Sequence, residues 1–66
     1  MDHIVVPIDK QWLSAAEVAS YMGVSADVVT SMLRAGEMPG VKFGREWRVA
    51  RADLEFYLNE ARRKLL

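Results

Sequence analysis

The chain has 66 residues, 52% of them hydrophobic, with no cysteine and a formal net charge of zero. This is one small domain that must use nearly all its apolar residues to fold, and it is too apolar for a disordered tail. Without cysteine it has no disulfide framework and no thiolate metal site.

Residues 1–11 read as an N-terminal arm. "IVVPI" is strand-like, but Pro7 restricts it to an edge position or an extended segment. "MDHIVVPIDK" carries acid where a secretion signal needs base, its apolar run is short, and no stretch approaches the roughly 20 apolar residues of a membrane span. A cytoplasmic protein is the expectation. The single histidine, His3, sits near the N-terminus and reads as a solvated side chain.

"SAAE", Ser14 to Glu17, matches a capping box and opens a first helix running to about Met22. Gly23 should end it in a left-handed conformation. Ser25 caps a second helix, with Asp27 favoured in its first turn by the helix dipole. Gly36 and Pro39 close that helix.

"VKFGREWRV" alternates and predicts a two-stranded hairpin. With Gly44, Arg45 and Glu46 as the turn, Val41 faces Val49 and Phe43 faces Trp47, while Lys42 and Arg48 form a cationic face. From about Arg51, Leu54, Tyr57, Leu58, Ala61 and Leu65 fall at helical spacing. Phe56 lies beside that stripe and is expected to be shielded by residues 4–8. The predicted core is Val18, Ala19, Met22, Val24, Val29, Met32, Val41, Phe43, Trp47, Val49, Leu54 and Leu58.

Charge is uneven although it sums to zero. Residues 1–40 hold five acids against two bases, and residues 41–66 hold seven bases against four acids. A basic half points to a polyanion partner, with an ordinary solvated surface as the plain alternative.

Two short helices meeting at a glycine, with small Ala19 four residues before it and aliphatics on the facing sides, form the pattern of a helix-turn-helix. Hairpin and closing helix follow. The fold expected is α+β and mainly α: a small winged helix-turn-helix over residues 12–66, preceded by the arm.

At this point "WLSAAEVASYMGVS" and "MLRAGEMPGVKFGREWRVARADLEFYL" resemble the excisionase-type helix-turn-helix domain, related to the winged DNA-binding domain of the mercury-resistance (MerR) regulators. The resemblance covers Trp12 to about Asn59. Its most specific part is Gly36-Glu37-Met38-Pro39, then Gly44-Arg45, Trp47-Arg48 and Arg51. It implies a partner, double-stranded DNA, with the second helix in the major groove and the wing on the backbone or minor groove. It implies a role in phage or transposon excision or in transcription regulation, alongside an integrase or recombinase or further copies of the chain.

The site residues expected are Ser25, Ala26, Asp27, Thr30, Ser31 and Arg34 on the recognition helix, and Lys42, Arg45, Arg48 and Arg51 for phosphate. The chain departs from relatives, which often carry arginine, tyrosine and arginine at Ala26, Thr30 and Ser31, and arginine at Glu46. Hydroxyls contact bases with little selectivity, whereas arginine on guanine is the commonest specific contact. Asp27 is read first as a helix-start charge, with acceptance from a cytosine amine as its other use. The competing reading is a winged-helix protein-interaction module with little base readout. An enzyme is not expected, nor a cofactor, a metal or a small-molecule substrate: there is no histidine pair, no cysteine nucleophile and no phosphate-binding glycine loop.

Overall fold

The capping box of the first helix forms as its sequence dictates. In the computed structural model, which describes residues 3–65, the Ser14 Oγ accepts from the Glu17 N–H at 3.1 Å. Glu17 Oε1 accepts from the Ser14 N–H at 2.8 Å. Helix α1 spans Ala15–Met22. The other carboxylate oxygen of Glu17 takes a hydrogen bond from Lys10 Nζ at 2.6 Å. That bond, then the one from the Ser14 backbone, holds the Glu17 carboxyl below its usual value of 4.5. A lowered folded-state value stabilises the protein above the unfolded-state value, and the gain is lost as pH falls through the folded one. Glu17→Gln keeps an acceptor for Ser14 but loses the charge. It should be less stable than wild type at neutral pH, and denaturation midpoints of the two should converge as the pH falls below the usual carboxylate value and through the lowered folded-state one. A constant gap over that range would remove the charge from the explanation.

Gly23 takes φ 76°, and the Gly23 and Val24 amides donate back to the Ser20 and Ala19 carbonyls at 3.3 and 3.0 Å. This is the double bond pattern of a Schellman motif. A Cβ at Gly23 would meet nothing within 4 Å, so Gly23→Ala isolates the backbone cost. It should destabilise the domain by about 1–2 kcal/mol, read from chemical denaturation. An unchanged midpoint would show that the turn tolerates another backbone. Helix α2, Ala26–Arg34, starts at Ser25 and closes the same way, Gly36 and Glu37 donating to Leu33 and Met32.

Three strands form one antiparallel sheet in the order β1-β3-β2, with β1 Trp12–Ser14, β2 Val41–Phe43 and β3 Glu46–Ala50. The expectation was a two-stranded wing. The added strand is the segment leading into α1, where Leu13 pairs with Val49 and both are fully buried. Helix α3, Arg51–Leu65, follows directly from β3.

The hairpin register differs by one residue from that expected. Its turn is the pair Gly44-Arg45, so Val41 opposes Arg48, Lys42 opposes Trp47 and Phe43 opposes Glu46. Glycine in the first place of a two-residue loop suits the tight turns whose twist matches the strands. A one-residue slip turns every side chain of a strand to the other face. Val41 and Phe43 therefore point outward and are exposed, and Lys42 and Arg48 do not share a face.

The core is Val6, Leu13, Val18, Ala19, Val29, Leu33, Met38, Val49 and Leu54. Met22, Met32, Trp47 and Leu58 are only partly buried against it. Val24 is exposed: the left-handed glycine before it swings the chain outward at the corner. Leu33 replaces Met32 as the buried partner of Val29 because residues four apart stack more closely in line with the helix axis than residues three apart. Leu33 also meets Gly40, where an added Cβ would run into its Cδ2 and lie 3.3 Å from the Arg48 carbonyl oxygen. A Cβ there would force the buried Leu33 side chain to shift and crowd the Arg48 carbonyl, so the residue leading into the hairpin passes close against the last turn of α2.

The arm lies extended along α3. The Ile4 N–H donates to Asn59 Oδ1 at 2.8 Å, and Asn59 Nδ2 returns a bond to the Ile4 carbonyl at 3.1 Å. The Val6 N–H donates to Glu55 Oε2 at 2.8 Å. Arg51 Nη1 donates to the Ile8 carbonyl at 2.8 Å. Two extended residues advance about 6.6 Å and one helical turn about 5.4–6 Å, so alternate arm residues meet side chains four apart on the helix. Val6 is thereby buried, while Phe56, one residue round the helix from this stripe, stays 69% exposed. The shielding of Phe56 by residues 4–8 does not occur.

Candidate nucleic-acid interface

Helix α2 buries Val29 and Leu33 and turns Asp27, Ser31 and Arg34 outward, with Thr30 at the border. Ser25 is occupied as the cap, its Oγ accepting from the Val28 N–H at 3.3 Å. Ala26 is exposed at the helix start. Among the described residues Asp27 and Arg34, seven apart on one row, form no ion pair with each other or with anything else. Val28, which the sequence reading passed over, is 46% exposed beside them. The signal for it was available: valines at 28 and 29 cannot both face inward on a helix.

The four cations expected to hold phosphate are in different states. Arg45, at the hairpin tip, is exposed and makes no hydrogen bond or ion pair. Lys42 is exposed, its Nζ 5.8 Å from the centroid of the Trp47 ring. Arg48 donates to the Glu46 carboxylate at 2.8 Å and to the Trp47 carbonyl at 3.0 Å. Arg51, also expected to hold phosphate, is half-buried, its guanidinium donating to the Ile8 carbonyl and its backbone N–H to the Gln11 carbonyl at 2.8 Å. No sequence signal points to the Ile8 bond, since its partner is a backbone atom 43 residues away.

The outer face of the sheet carries a pair of aromatics. Trp12 and Phe43 meet edge to face with centroids 5.7 Å apart and rings at 89°. They are 46% and 54% exposed, and Val41 on the same face is 45% exposed. An edge-to-face pair of this kind adds about 0.5–1.5 kcal/mol beyond its buried area, and here it links the two outer strands across β3.

Helix, tight turn, exposed second helix, hairpin and closing helix define a helix-turn-helix domain. A family model described as a helix-turn-helix domain, associated with excisionase-like proteins, matches residues 12–62, and the chain belongs to that family. No curated protein and no solved structure matches it. Such a domain suggests DNA binding and is typically non-catalytic. No helix among the described residues is long and apolar enough to cross a membrane.

Proposed function

We propose that the chain is a small double-stranded-DNA-binding protein of excisionase type. In this reading α2 enters a major groove, and Lys42, Arg45 and Arg48 reach the phosphates. The observation that carries it is the outward row Asp27, Thr30, Ser31, Arg34 on a helix whose last turn lies against Gly40, the residue leading into the hairpin that bears those cations. Family membership supports DNA as the partner; a role in site-specific excision or in transcription regulation, beside a recombinase or further copies of the chain, is part of the same proposal. Residues 3–11 then act as an arm bracing a domain that begins at about Trp12.

Phosphate contacts give affinity and orientation, and base contacts give sequence choice. The Arg48–Glu46 pair is a surface ion pair of small worth, so phosphate can take the guanidinium from Glu46. Glu46→Gln should therefore tighten binding to every duplex. Arg45→Ala should weaken binding to all sequences alike and flatten the salt dependence by about one unit of slope. Anisotropy titrations across a salt series check both. Variants indistinguishable from wild type would take the hairpin off the DNA.

The exposed Trp12, Val41 and Phe43 face favours a second reading, a protein-interaction module. It predicts that Phe43→Ala abolishes the chain's association with a partner while duplex binding is absent throughout.

A further inference from the structure

The front of α2 presents one carboxylate to whatever the helix faces. The cap position is filled by Ser25, and the Asp27 carboxylate accepts no hydrogen bond from the helix start and pairs with no cation among the described residues. Asp27 is exposed in the first turn, the part of a recognition helix that touches base edges. Opposite phosphate a free carboxylate repels. In the major groove it meets a matching donor on cytosine, whose N4 amine donates to aspartate or glutamate. Its neighbours discriminate little: the Thr30 and Ser31 hydroxyls accept either base type, and Ala26 and Val28 offer only apolar contact, which suits a thymine methyl.

We infer that Asp27 is the specificity-determining residue at the start of α2, selecting a cytosine and so a C·G pair there. The inference rests on the reading of α2 as a groove helix. The same charge lowers affinity for every site lacking that donor, so Asp27 sharpens choice at the expense of general binding.

The test is selection of full-length protein against a randomised duplex pool, followed by anisotropy titration of the selected and a random duplex. Wild type should enrich cytosine at one position, with a preference of roughly 5- to 100-fold over other bases. Asp27→Asn should move that preference to adenine, whose N6 and N7 asparagine reads bidentately. Asp27→Ala should lose preference there and bind the random duplex more tightly than wild type. If wild type selects duplexes but Asp27→Asn selects the same ones, the inference is overturned and the groove reading stands. A lower melting temperature in both variants with unmoved preference would likewise reduce Asp27 to a helix-start charge and overturn it. If wild type enriches no duplex at all, the groove reading itself fails.

Discussion

Leu54→Ala should remove a large share of the protein's stability, about 2–5 kcal/mol. Leu54 is fully buried on the side of α3 that faces the sheet, among the largest completely enclosed side chains, with Leu13 of β1 and Val49 of β3. Truncating a buried leucine costs about 2–5 kcal/mol, in lost transfer energy and in the cavity left behind. A domain of this length has roughly 3–10 kcal/mol in total. Each of the arm, β1, α1, α2, β3 and α3 supplies one fully enclosed side chain, so no second layer exists to absorb a void. Phe56→Ala on the same helix is the control. Its ring is mostly exposed, and its melt should match wild type within about 0.5 kcal/mol. Equal effects for the two variants would contradict this placement of α3.

Val6→Asp should undock the arm without unfolding the domain. A lone carboxylate is not tolerated at an apolar position that is 1% exposed, so the arm releases. The protein then loses roughly 1.5–3 kcal/mol of valine burial and the bonds to Asn59, Glu55 and Arg51, worth about 0.5–1.5 kcal/mol each. Recovered backbone entropy, about 1–2 kcal/mol per freed residue, offsets much of that. The two sides nearly cancel, so the melt should move little, while the amides at positions 4 and 6 should exchange fast. Val5→Asp, on the exposed alternate position, should change neither. Slow exchange at Ile4 in Val6→Asp would show that the polar ladder holds the arm by itself.

What could be read from sequence was local. The Ser14–Glu17 box, the glycine after Met22 and the Ser25 cap are decided within one turn of chain, and each forms as read. The sheet was harder because pairing joins distant residues. Trp12–Ser14 looks like a lead into α1 until Val49 is known to lie beside Leu13. The hairpin turn length hinged on whether Glu46 belonged to the turn or to β3, and that single residue decides which face Phe43 occupies. In the candidate site, the α2 row followed from helical register. The ties of Arg48 to Glu46 and of Arg51 to the arm did not, because side-chain partners depend on tertiary placement.

The most direct test of the DNA reading is titration of the intact protein against a random duplex at low and moderate salt. With Arg34, Lys42, Arg45 and Arg48 available, binding should be measurable near 50 mM salt. The logarithm of the association constant should fall with the logarithm of salt at a slope of roughly −2 to −4. Absence of binding at the lower salt would contradict the DNA reading and leave the exposed aromatic face of the sheet as the working surface.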